Sequence, residues 1–106
     1  MPAKPPAKLR LEWRSRASAN LLLIVAEIAE DNPDAADKLM NEIESKAAAL
    51  LDHPRIYKPS PRAKGLREMV VRPNYVVFCR ESPTLVEIVN VIHARRQWPP
   101  IKRQAK

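Results

Sequence analysis

Cysteine occurs once in this chain, at Cys79, so no internal disulfide can form and a stapled secreted scaffold is excluded. One cysteine and two histidines, His53 and His93, cannot build a metal cluster unless carboxylates complete it. No such spacing is present, and no cofactor or metal is expected. Glycine also occurs once, at Gly65, which leaves the turns to proline, asparagine and serine. The longest apolar run, Leu21 to Ala26, is six residues and stops at Glu27, far short of the ~20 that cross a bilayer. The opening Met1-Pro2-Ala3-Lys4-Pro5-Pro6 carries charge with no apolar stretch behind it, so it does not read as a secretory signal. The expectation is a cytosolic protein with no membrane partner.

What is present suits one domain. A chain of 106 residues has no room for two cores, and a hydrophobic fraction of 45% argues against wholesale disorder. Eleven prolines act as punctuation. Pro2, Pro5 and Pro6 mark a flexible head over residues 1–7, and Pro99 and Pro100 open a basic tail over residues 100–106. A single domain is expected between them, over residues 8–99. The net charge of +7 is unevenly placed. Ala17 to Asp52 holds eight acids and two lysines, whereas the rest of the chain holds seventeen basic residues and four acids. An acidic helical layer and a basic remainder are expected, the basic face being suited to an acidic or nucleic-acid partner.

Periodicity sets the element order. Leu9, Leu11 and Trp13 alternate with Lys8, Arg10 and Glu12, the pattern of a half-buried strand. From Arg16 to Glu30 the period becomes helical through Leu21, Ile24, Val25 and Ile28, with Ser15 or Ser18 as the expected N-cap. Asn32-Pro33-Asp34 restarts a helix, with Asn32 as cap and Pro33 at the first position, where its missing N–H costs nothing. Ala36, Leu39, Met40, Ile43, Ala47, Leu50 and Leu51 carry this second helix until Asp52-His53-Pro54 stops it. The short break predicts a helix hairpin.

A basic loop, Arg55 to Lys64, precedes three strands: Leu66 to Val71, Tyr75 to Arg80, and Leu85 to Ile92. Arg72-Pro73-Asn74 and Glu81-Ser82-Pro83-Thr84 read as hairpin turns. The last strand is apolar almost throughout, Glu87 and Asn90 excepted. The order β-α-α-β-β-β predicts an α+β fold: a helix hairpin packed on a small, mostly antiparallel four-stranded sheet. Met40, Met69, Cys79 and Trp13 read as core, and Tyr57 and His53 as loop anchors. Arg67 and Glu68, adjacent on a strand, point to opposite faces.

Three segments carry the functional signal: Leu66-Arg67-Glu68-Met69-Val70-Val71, Tyr75-Val76-Val77-Phe78-Cys79-Arg80, and Val89 through His93-Ala94-Arg95-Arg96-Gln97-Trp98-Pro99. Read with Trp13, Asn32-Pro33 and Asp52-His53-Pro54, they resemble the RelE/ParE superfamily of type II toxin–antitoxin toxins over residues 8–99. The most specific part is the last strand running into His93–Pro99, and the set is closer to the ParE side. The resemblance implies the same fold and a toxin held inactive in a hetero-oligomer with a cognate antitoxin. Growth inhibition and plasmid stabilisation go with such systems. It implies DNA gyrase as a target poisoned by binding, with no chemistry. The alternatives it leaves are a RelE-like nuclease cutting mRNA on the ribosome and a degenerate, non-toxic member.

Chemistry bears on that choice. Cutting RNA through its 2′-hydroxyl needs a proton acceptor, a donor for the leaving oxygen and cations for the phosphorane. Arginine stays protonated, so Arg67, Arg80, Arg95 and Arg96 can clamp a phosphate but cannot act as the base. His93 is the one nearby side chain of a type that titrates near neutral pH. Under the nuclease alternative the catalytic set is Arg67, His93 and Arg95. In phase with Val91 and Val89, however, His93 also reads as a packed strand-end histidine. Trp98 stands where some members use a tyrosine, and indole has no phenol to offer. As a target-binding patch the set is Arg67, Arg80, Arg95, Arg96 and Trp98, rich in hot-spot residue types. The expected antitoxin contact is the helical strip Leu21, Leu22 and Val25.

Overall fold

The computed structural model describes residues 9–96, 98 and 99. The expected head, the expected tail and Lys8 of the first strand lie outside the described residues. The elements are β1 (Arg10–Trp13), α1 (Ser15–Asp31), α2 (Pro33–Ala49), β2 (Arg67–Val71), β3 (Tyr75–Glu81) and β4 (Leu85–His93). Among the described residues no helix is long and apolar enough to cross a membrane. The four strands form one sheet in the order β1-β4-β3-β2, parallel between β1 and β4 and antiparallel elsewhere. The expected α+β arrangement is the observed one.

Local chemistry explains the helix boundaries, with one correction. Neither Ser15 nor Ser18 caps α1. The amide of Arg14 donates to the Ile88 carbonyl at 2.9 Å, which keeps residue 14 extended on the sheet. Its own carbonyl accepts from Ser18 N at 3.0 Å, so Arg14 is the cap and has no side-chain bond to offer. At the hairpin the expectation holds: Asn32 Oδ1 accepts from Ala35 N at 3.0 Å, with Pro33 next in line. Asn32 also closes α1 through its amide, bonded to Ile28 O. That single residue therefore ends one helix and starts the other.

Both sheet faces are covered. On one, Leu21, Leu39, Ile43, Ala47 and Leu50 of the helical layer bury Met69, Val71, Val77, Cys79, Val86, Ile88 and Val91. Leu21 is only 5% exposed, so as an antitoxin contact it is a correction: the helical period turns it into this core. The other face carries Val76, Phe78 and Ile92 against Ala63, Leu66, Val89 and Trp98. Loop residues 60–66 fold over that face. Ser60 Oγ donates to Glu68 at 2.6 Å and accepts from Ala63 N, while Arg62 pairs with Glu68 at 2.9 Å.

The expected phase of Val89, Val91 and His93 on one face does not hold. Phe78 pairs with Asn90 and Cys79 with Ile88, so Val89 is an extra residue forming a β-bulge. As a result Ile88 and Val91 both face the helices, whereas Val89 joins the outer cluster. His93 therefore shares a side with Val91 but not with Val89. The strand itself runs one residue past the expected Ile92 and stops at His93; residues 94–95 form a turn. Trp98 is not a sheet residue. It folds back on Phe78, with ring centroids 4.7 Å apart.

Candidate functional site

The strand-end residues gather where β1 has stopped and β4, still paired with β3, continues beside α1. His93 stacks edge-on against Tyr75, with ring centroids 5.4 Å apart. Its Nδ1 accepts a hydrogen bond from the Arg95 amide at 3.2 Å. A neutral imidazole has one accepting and one donating nitrogen, so this bond puts the proton on Nε2. The accepting nitrogen is thus turned to the backbone of the strand-end turn.

Two adjoining depressions lie here. A groove of about 350 Å³ is lined by Leu23, Ile24 and Glu27 of α1 and by Val91, Ile92 and His93, with Asn20 and Arg96 at its border. Beside it, Arg16, Asn20, Asn90, Arg96 and Trp98 line a cleft of about 330 Å³. Asn20 Nδ2 donates to Asn90 Oδ1 at 2.6 Å, and Asn90 Oδ1 also accepts from Val91 N at 2.9 Å. Arg16, Arg95 and Arg96 are exposed. Among the described residues, none of the three has a carboxylate within ion-pair distance.

Arg67 and Arg80 sit elsewhere, around a small depression that includes Pro59, Gly65, Leu66 and Glu81. Arg67 is paired in the sheet with Cys79, and His93 with Tyr75. Four residues along β3 separate those rows by about 13 Å. Both arginines are engaged: Arg67 with Tyr57 O at 2.8 Å and Glu81 at 3.3 Å, Arg80 with Glu87 at 2.9 Å. Glu87 is also held by Arg14 at 3.0 Å, and hydrogen bonds from Arg80 and then Arg14 lower its pKa. The expected nuclease set is thus not brought together: His93 and Arg95 are neighbours, and Arg67 stands apart. The target-binding set divides likewise, with Arg95, Arg96 and Trp98 at one end of the sheet and Arg67 and Arg80 at the other.

Arg16, Asn20 and Asn90 were not singled out as site residues from the sequence. One signal was available in Asn90, a polar side chain in an otherwise apolar strand. Arg16 and Asn20 gave none, because they join the site only through the packing of α1 on β4. Of the expected antitoxin strip, Leu22 is 60% exposed and Val25 packs partly against the core. Leu23, at 67%, extends the open apolar surface.

Comparison with known proteins agrees with this architecture. The family described as the ParE toxin of the type II toxin–antitoxin system parDE matches residues 11–98. Y4kP of Sinorhizobium fredii is 36% identical over 96 residues, spanning 90% of this chain and 98% of the relative. The toxin RelE2 of Caulobacter vibrioides is 33% identical over 84 residues, spanning 79% and 93%. Among solved structures, a chain of the chromosomal ParDE system of P. aeruginosa superposes with a TM-score of 0.71 at 17% identity, over 81% of this chain and 96% of that one. YafQ of E. coli superposes with a TM-score of 0.59 at 17% identity, covering 81% and 93%. At that identity the likeness concerns the fold.

Proposed function

Because the chain belongs to the ParE toxin family of type II toxin–antitoxin systems, within the RelE/ParE superfamily, we propose that it poisons DNA gyrase by binding and is neutralised by a cognate antitoxin. The observation that supports a binding mode over RNA cleavage is the dispersed arginine–histidine set. Arg67 is tied to Tyr57 and Glu81 about 13 Å along the sheet from His93, whose accepting nitrogen is already engaged. A cleavage site needs base, acid and cation around one phosphate. On this reading Arg95, Arg96 and Trp98 form the centre of the target contact. Arg67 and Arg80 contribute at its far end only by exchanging their internal partners.

The antitoxin is assigned to the apolar surface of α1, where Leu22 and Leu23 stand open beside the groove that runs to His93. Exposed charge pairs contribute only about 0–1 kcal/mol each, so tight neutralisation rests on apolar anchors of this kind. The solved complex of DinJ with YafQ supports a partner of this class.

The deciding experiment is a gyrase supercoiling assay with purified toxin, run beside a translation-coupled mRNA cleavage assay. Supercoiling should be blocked and the mRNA left intact. Ribosome-dependent cleavage products would reverse the assignment, and harmless induction without the antitoxin would indicate a non-toxic member. His93→Ala should leave growth arrest unchanged.

A further inference from the structure

The cleft between α1 and the end of β4 contains more recognition chemistry than a protein contact requires. Asn90 is 1% exposed and is the one buried polar residue among the described residues. Its Oδ1 is engaged twice, while its Nδ2 donates to no described residue. Asn90 underlies the cleft as a buried support, and Asn20, half-buried above it, is the amide the cleft presents. The Oδ1 of Asn20 likewise takes no hydrogen bond from a described residue. The bond to Asn90 thus fixes the orientation of the Asn20 amide, with its Oδ1 as an acceptor at the floor of the cleft. Arg16 and Arg96 flank the cleft with two guanidiniums that no carboxylate among the described residues holds. Trp98, braced on its inner side by Phe78, supplies an aromatic wall.

We infer that this cleft binds a nucleoside phosphate, with Arg16 and Arg96 on the phosphate, the Asn20 amide, held by Asn90, on the base edge, and Trp98 stacked on the base. Guanidinium forks suit phosphate oxygens, amide side chains suit a base edge, and indole stacks on any base. The cleft volume of about 330 Å³ falls within the size of small-ligand sites. An acidic peptide would use the guanidiniums but leave the Asn20 amide and the indole idle. A free nucleotide and the end of a single strand share the required chemistry. The inference goes beyond gyrase poisoning but shares Arg96 and Trp98 with that contact, so its test is direct binding, independent of gyrase and of growth.

The full chain carrying Trp13→Phe, in which Trp98 is the remaining indole, is titrated with AMP, a short 5′-phosphorylated single-stranded oligodeoxynucleotide, inorganic phosphate and a glutamate-rich peptide. Saturable quenching of Trp98 by AMP or by the oligonucleotide is expected. Stronger quenching by AMP assigns a free nucleotide, and stronger quenching by the oligonucleotide assigns a strand end. Arg16→Gln and Arg96→Gln should each weaken it about tenfold with unchanged thermal unfolding. Absence of quenching by both nucleotide probes overturns the inference. Undiminished binding in both variants, or phosphate or peptide binding as tightly as AMP, does the same. Calorimetric titration of the unaltered chain gives the same reading if Trp13→Phe does not fold.

Discussion

Arg67 donates from Nη1 to the Tyr57 carbonyl at 2.8 Å, which pins the basic loop to the first residue of β2. The same guanidinium holds Glu81 at the end of β3. Arg67→Ala should therefore cost stability, about 1–3 kcal/mol, by removing charged hydrogen bonds and leaving Glu81 with Arg55 at 3.6 Å as its remaining partner. Chemical denaturation of the purified variant checks this. Any loss of toxicity should track the loss of fold, and a fully stable but inactive variant would return Arg67 to a direct role.

Leu21 and Leu22 are neighbours in sequence with opposite duties. Leu22→Glu should fold with stability within about 0.5 kcal/mol of the parent, since it replaces an open side chain. Capture by the antitoxin should fall at least tenfold, about 1.4 kcal/mol. Leu21→Glu should fail to fold, because it places a carboxylate in the core. Circular dichroism and co-purification separate the two outcomes.

Acid should weaken the molecule through Glu87 and Glu42. Hydrogen bonds from Arg80 and Arg14 hold the Glu87 carboxyl below its ordinary value of 4.5, and a hydrogen bond from Arg72 does the same for Glu42. A carboxyl depressed in the folded state contributes stability that is complete above the unfolded value and lost as pH falls through the folded one. Melting temperature should thus decline as pH drops below 4.5, and Glu87→Gln should flatten that decline. Both carboxyls are solvent-accessible, so added salt should shrink the difference.

Burial pushes the Cys79 thiol up to about 11, and the side chain is 2% exposed. Alkylation at mildly alkaline pH should be negligible in the native state and complete in denaturant, as read by mass spectrometry. Rapid native labelling would mean that β2 and β3 open readily.

Much of the fold could be read from the chain because its signals are local. The alternation at Leu11 and Trp13, the helical stripe from Leu39 to Leu50 and the Asn32-Pro33 cap each act over a few residues. The N-cap of α1 could not be read this way, since Arg14 takes that role through a bond to Ile88 on a strand distant in sequence. The site was less accessible for the same reason. Arg95, Arg96 and Trp98 lie in one short run, but their partners Arg16 and Asn20 reach them only across the packed layers. The engagement of Arg67 by Tyr57 and Glu81 is likewise a product of strand register.

The surplus residue at Val89 reaches beyond local geometry. Side chains alternate across a pleated strand, so one residue left out of the pairing reverses the facing that strict alternation would give everything after it. Taking Val89 into the regular pairing, with no residue left over, would send the histidine ring to the reverse of the sheet and re-aim the terminal arginines and indole with it. The handedness of the whole recognition end is thus fixed by one unpaired valine.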